Sequence, residues 1–147
     1  PPAIGDGIVP ALSATSQFAP LLTQAALADF MNEGHLARHL RRMRRLYAAR
    51  RQYFMAIFDD HLSEWLRLRR TDTGIQLVAL FHCNHDDKAI AAAAVEQGIN
   101  VSPLSIQYHH VAQRRGLVMG FSASDEKSTL KAMRKLRKIL AERPMAH

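Results

Sequence analysis

The chain reads as an α+β domain: a small, mostly antiparallel sheet with helices packed on it and one long helix ahead of it. Three observations lead there. His35 to Leu62 carries an apolar period of 3.6 residues and contains no Pro or Gly. Short runs of two-residue alternation follow it, bounded by turn residues. The order helix, long helix, strand, strand, helix, strand, strand, helix is an α+β layout, with helices packed on a small, mostly antiparallel sheet.

The long helix organises the rest. Leu36, Leu40, Met43, Tyr47, Phe54, Ile57 or Phe58, and Leu62 fall near one face, and Arg38, Arg41, Arg42 and Arg45 fall mostly on the other. At 1.5 Å per residue it extends about 42 Å. A compact domain of this size is roughly 38 Å across. An element that crosses or overreaches its own domain is expected to brace a second one.

Ahead of it, residues 1–20 hold Pro1, Pro2, Gly5, Gly7, Pro10 and Pro20 and read as loop or short turn. Thr23 to Asn32 reads as a short helix with Leu27, Phe30 and Met31 facing inward. Gly34 supplies its left-handed terminus. After the long helix, Trp65, Leu66 and Leu68 open a strand that ends near Arg69. Thr71 to Gly74 is a turn. From Ile75 to Phe81 both parities are apolar, so that strand is expected to be covered on both faces. Asp86 caps a helix, Asp87 to Gln97, closed by Gly98. Ile99 to Tyr108 starts as a strand and breaks at Pro103. Gly116 to Ser122 is a further strand. Ser124 is expected to cap the last helix, whose buried stripe is Leu130, Met133, Leu136 and Leu140.

Composition narrows the classes. With 147 residues, 48% of them apolar, the chain can bury one core. No apolar run approaches the 18 residues of a membrane span, so no membrane partner is expected. Cys83 is the only cysteine, which excludes an intrachain disulfide and makes the cytoplasm the default compartment. A net charge of +7 permits a nucleic-acid partner, but the arginines of the long helix lack interleaved aromatics, and no helix-turn-helix or zinc-finger spacing is present. The chain begins Pro1-Pro2 without an initiator Met, which raises the expectation of a piece of a longer protein.

Candidate chemistry is sparse. His35 and His39 stand at i, i+4, but the Glu of an HExxH pattern is missing. His82-Cys83-Asn84-His85, even with His109-His110, lacks four-ligand zinc spacing, so no metal is expected. There is no GxSxG elbow, and no base and orienting partner can be argued for Cys83. Lys88, Lys127, Lys131, Lys135 and Lys138 all fall on helices where exposure is expected, so none stands out as a desolvated Schiff-base lysine. No catalytic residue is therefore assigned. Arg114-Arg115, just before the strand GLVMGFS, could grip a carboxylate through paired N–H bonds, or could be two solvated charges on a turn.

Longer blocks carry a resemblance. TQAALADFMNEG, GHLARHLRRMRRLYAARR, DTGIQLV, GINVSPLS and RRGLVMGFS, in this order, closely resemble successive segments of the MocR-type regulators of the GntR superfamily. They span most of the chain. The family joins a winged helix-turn-helix to a C-terminal domain resembling a fold-type I aminotransferase, which binds pyridoxal 5′-phosphate and dimerises. The resemblance implies that this chain is the last third of such a protein. Residues 1–34 would be a linker and short helix leading in from a large domain, 35–62 a bridging helix, and 63–147 a small α+β subdomain.

It further implies that the DNA-binding domain, the Schiff-base lysine and the cofactor pocket lie upstream, so this piece alone is expected to hold no cofactor. Partners implied are DNA, a second copy in a homodimer, the large domain of the same chain and a carboxylated amine effector. The arginine of the small domain that grips a substrate carboxylate in aminotransferases best matches Arg115, with Arg114 as the alternative. Ser105 and Tyr108 are implied candidates for lining the ligand side, and Gln76 stands where many relatives have histidine. A regulator that senses ligand is implied, the alternative being the small domain of a genuine pyridoxal-phosphate-dependent aminotransferase.

Overall fold

The computed structural model describes residues 2–15, 20–69, 71, 74–108 and 114–143. By compactness the chain divides at Met43/Arg44, inside the long helix, into a unit of residues 1–43 and one of residues 44–147.

The first unit is helical. Helix α1 spans Pro2–Ala14, and α2 spans Leu21–Asn32. Helix α1 corrects the expectation of a loop for residues 2–14, while residues 1 and 16–19 lie outside the described residues. Pro2 stands first in it, where a fixed φ suits a helix start and no N–H is missed. Apolar residues recur at Ile4, Ile8 and Leu12, and Pro10 is tolerated inside. Thr15 closes its end by donating its hydroxyl to the Ala11 carbonyl at 3.0 Å. Helix α2 begins at Leu21, two residues earlier than its periodicity predicts, with Pro20 in extended geometry before it. It buries none of its residues, and Leu27, Phe30 and Met31 are exposed, not inward-facing. Gly34, at φ 75°, ends it as expected.

Helix α3 spans His35–Leu62 and is a single element, as its period predicts. In the second unit it buries Phe54, Phe58 and Leu62, spaced by four residues, and Phe58 takes the core position that Ile57 could have held. Leu36 and Met43 are half-buried, Leu40 is exposed, and Arg38, Arg41, Arg42 and Arg45 are exposed.

The sheet contains β1 (Leu66–Arg69), β2 (Gln76–Phe81), β3 (Val101–Pro103) and β4 (Gly116–Gly120), in the order β1-β2-β4-β3 with every pair antiparallel. Alternation sorts it into two faces. Leu66, Leu68, Leu77, Ala79, Leu117, Met119 and Val101 are buried and join one core with α3, α4 (Asp87–Glu96) and α5 (Glu126–Glu142). Val78, Leu80 and Val118, of the opposite parity, are half-buried. The expected cover on both faces of β2 is therefore incomplete: among the described residues, helices seal one parity and leave the other half-buried. Register sets Arg67, Leu80 and Gly116 side by side on the less covered face.

Capping fixes the remaining helices. The Asp86 carboxylate accepts from the N–H groups of Lys88 (3.0 Å) and Ala89 (3.2 Å), and Gly98 at φ 76° follows the end of α4. A 3-10 turn, Leu104–Gln107, succeeds β3 at Pro103, where the sequence predicts the strand to break. The cap of α5 is Asp125 and not Ser124: its carboxylate accepts from the Ser128 N–H at 2.8 Å. Asp125 stands three residues before Ser128, the span this bond requires. Thr129, Met133, Leu136, Ile139 and Leu140 are the buried stripe of α5, with Leu130 half-buried beside it.

Two tests follow from this packing. A Cβ at Gly116 would meet the Ala79 carbonyl oxygen at 2.2 Å, whereas one at Gly120 meets nothing within 4 Å. Gly116→Ala should lower stability by about 1–3 kcal/mol, the usual cost of overpacking. Gly120→Ala should be neutral or slightly stabilising, by up to about 1 kcal/mol. Denaturant titration of both variants separates them. Bonds from Ser128 to the Asp125 carboxylate hold it below its usual 3.8. A depressed folded-state value means that the cap's contribution is present above 3.8 and fades as pH falls through the lower native value. Asp125→Asn keeps a cap without a charge, so its acid titration should lose that component, seen as a flatter dependence of stability on pH below 3.8.

Candidate ligand-binding cleft and its supporting carboxylate

At the start of β4 the chain presents Arg114 and Arg115, both exposed. They line a cleft of about 460 Å³ together with Arg67, Leu80, Phe81 and His82. Among the described residues, three arginines and no acidic residue border this space. Each guanidinium carries five N–H donors in a planar fork, so the cleft suits a small carboxylate or a similar anion.

Arg115 is held at several points. Its Nη1 donates to the His85 carbonyl at 3.2 Å, and its own carbonyl accepts from the Phe81 N–H at 3.2 Å. The next amide, Gly116 N–H, donates to the Asp87 Oδ2 at 3.3 Å. The same carboxylate accepts from Ser105 twice: from its N–H on Oδ2 and from its hydroxyl on Oδ1, both at 2.8 Å. Asp87 is 2% exposed and Ser105 3%. A buried carboxylate is costly unless its oxygens are hydrogen-bonded, and three donors answer that cost here.

Of the residues singled out in the sequence, the structure brings Arg114 and Arg115 together in the cleft. The Ser105 hydroxyl is turned onto Asp87, and Tyr108 is half-buried at the end of the 3-10 turn. Neither lines the arginine cleft. Gln76 begins β2 and borders a different cavity, between the sheet end and α5. Sequence reading misses Arg67 and Asp87. The adjacent pair Asp86-Asp87 holds a usable signal: one side chain suffices to cap a helix, which leaves the second carboxylate to be accounted for.

The histidines divide by place. His35 pairs with Glu33 at 3.0 Å and stacks on Phe30, and His39 approaches Arg42 at 3.5 Å. His82 Nε2 donates to the Ser63 carbonyl at 3.0 Å, while His85 is buried against Phe81. His109 and His110 lie outside the described residues, as do Asp72 and Thr73 of the expected turn. Among the described residues no group of three or more His, Cys, Asp or Glu is placed to hold a metal ion.

A Schiff-base cofactor asks for a buried lysine. Lys88, Lys127, Lys131 and Lys138 are exposed, and Lys135 donates its Nζ to the Gln97 carbonyl at 2.7 Å. The buried polar residues described are His85, Asp87, Ser105 and Thr129. This donor set does not fit pyridoxal phosphate.

The fold is that of the C-terminal portion of fold-type I aminotransferases. LysN, an α-aminoadipate aminotransferase of Thermus thermophilus solved with N-(5′-phosphopyridoxyl)-L-leucine, superposes with a TM-score of 0.83 at 18% identity, over 97% of this chain and 36% of that one. A kynurenine aminotransferase of Pyrococcus horikoshii gives 0.70 at 19% identity, over 80% of this chain and 29% of that one. No family model matches the chain.

Among curated proteins it is 44% identical over 137 residues to the probable rhizopine catabolism regulatory protein MocR of Rhizobium meliloti, 93% of this chain. It is 32% identical over 123 residues to the HTH-type pyridoxine biosynthesis transcriptional regulator PdxR of Corynebacterium glutamicum, 82% of this chain. The chain belongs to the MocR-type regulators of the GntR superfamily and corresponds to the C-terminal part of their aminotransferase-like domain. It spans 28% and 24% of the length of those two relatives. Among the described residues no helix is long and apolar enough to cross a membrane.

Proposed function

We propose that the whole protein is a pyridoxal-phosphate-dependent transcriptional regulator and that this chain is its effector-side lobe. Upstream, a winged helix-turn-helix binds DNA, and a large domain of the same chain holds the cofactor through its lysine. The regulator works in the cytoplasm as a homodimer. Its effector is a carboxylated amine: the amine reaches the cofactor and the carboxylate engages Arg115, with Arg114 as the second candidate. Ser105, on the 3-10 turn, belongs to the framework beside that contact through its bonds to Asp87, and Tyr108 stands at the end of the turn.

The observation that carries this reading is the cleft at the mouth of β4 with three arginines and, among the described residues, no acid, in a chain whose curated relatives are named as regulators. Each charge-assisted bond contributes about 1.5–3 kcal/mol. Two of them bias an equilibrium between open and closed lobe positions by about 10²- to 10⁴-fold, enough to switch a population. A genuine aminotransferase is the second reading. It is favoured by the solved neighbours, whose identities of 18–19% speak for fold alone. A winged helix-turn-helix upstream decides for the regulator.

Two cofactor adducts test the arginine. N-(5′-phosphopyridoxyl)-L-alanine carries the carboxylate, and N-(5′-phosphopyridoxyl)ethylamine lacks it. The full-length protein should prefer the first by about tenfold or more, and Arg115→Ala should abolish the preference while leaving affinity for the second within about threefold. A preference that survives Arg115→Ala but disappears in Arg114→Ala moves the role to Arg114. One that survives both substitutions removes the pair from the mechanism.

A further inference from the structure

We infer that Asp87 is the positioning residue of the carboxylate-binding arginine, an assignment that rests on the role proposed for Arg115. The side chain of an exposed arginine is flexible, so binding is strongest where its geometry is set beforehand. Two of the bonds that set Arg115 come from one segment. Its guanidinium donates to the carbonyl of His85, and the amide after it donates to Asp87, two residues further on. Both ends of the arginine are thus referenced to the segment that opens α4. Across β2, the Phe81 N–H holds the Arg115 carbonyl, so the peptide joining Arg115 to Gly116 is fixed on both its oxygen and its nitrogen.

Asp87 is itself immobilised by the two bonds from Ser105, and Ser105 belongs to the 3-10 turn after β3. One buried carboxylate therefore locks the start of α4, the 3-10 turn and the start of β4 into a single arrangement. Gly116 completes it, because only a residue without Cβ allows β4 to lie against the Ala79 carbonyl while its N–H reaches Asp87. Among the residues that border the cleft, Asp87, Ser105 and Gly116 do not figure. Asp87 acts on it through the backbone of Arg115 and Gly116 alone.

The test uses the full-length regulator and the affinity ratio of the two phosphopyridoxyl adducts. General loss of stability weakens both adducts alike and leaves the ratio unmoved, whereas misplacement of Arg115 lowers it. Asp87→Ala should lower the ratio by roughly tenfold. The same substitution made in an Arg115→Ala background should change it by less than about twofold, since a residue that acts through another has no effect once that one is gone. Asp87→Asn can still accept from both N–H groups and donate to the Ser105 oxygen, and should restore the ratio to within about threefold.

Should Asp87→Ala fail to fold, Ser105→Ala removes only the hydroxyl bond and should lower the ratio by about threefold, again only when Arg115 is present. A ratio that collapses in Arg115→Ala but is unchanged by Asp87→Ala, or by Ser105→Ala where that variant stands in, overturns the inference. An equal effect of Asp87→Ala in both backgrounds does the same. If the unsubstituted protein shows no preference for the carboxylated adduct, or Arg115→Ala leaves the preference intact, the role given to Arg115 fails and the inference falls with it.

Discussion

A carboxylate taken out of water costs several kcal/mol unless donors surround it, and this lobe surrounds one. Asp87 accepts from two backbone N–H groups and one hydroxyl, drawn from the 3-10 turn and from β4. These elements do not follow one another in sequence, and apolar packing alone specifies their distance only loosely. A bonded buried carboxylate specifies it tightly, because removing any donor leaves a buried lone pair unanswered. That constraint fixes the Gly116 amide, and with it the peptide that follows Arg115.

The sheet supplies the second condition. Its helices cover one face, and the other keeps Val78, Leu80 and Val118 half-buried. Arginines on that less covered face, Arg67 among them, stay accessible while their strand is anchored from behind by Leu66 and Leu68. The cleft forms where this face meets the start of β4. Arg67, Arg114 and Arg115 therefore stay solvated in the folded lobe, which spares their guanidinium groups a desolvation cost.

Legibility of the fold follows the range of the interaction. The caps at Asp86, Gly34 and Gly98, the break at Pro103 and the extent of α3 each depend on residues within a few positions of one another, and each is readable. Residues 1–20 mislead because Gly and Pro outweigh the spacing of Ile4, Ile8 and Leu12. Leu27, Phe30 and Met31 are given an interior by their spacing, whereas among the described residues they stay exposed. Ser124 and Asp125 are both good caps, and only geometry chooses between them. In the cleft, Arg114 and Arg115 are visible as a doublet beside a strand, but Arg67 lies 47 positions away from Arg114 and joins them only through the register of β1, β2 and β4.

By itself the sequence determined the mixed helix-and-sheet class, the order of its strands and helices after residue 20, and the family, because these reside in local periodicity and in consecutive blocks of residues. Tertiary structure alone decided which face of β2 is sealed, that the Ser105 hydroxyl turns onto a carboxylate, and that Asp87 holds the Gly116 amide next to Arg115. The reason is the same in each case: hydrogen bonds across 18 and 29 positions, and strand register, are fixed by three-dimensional closure of the chain and leave no periodic trace along it.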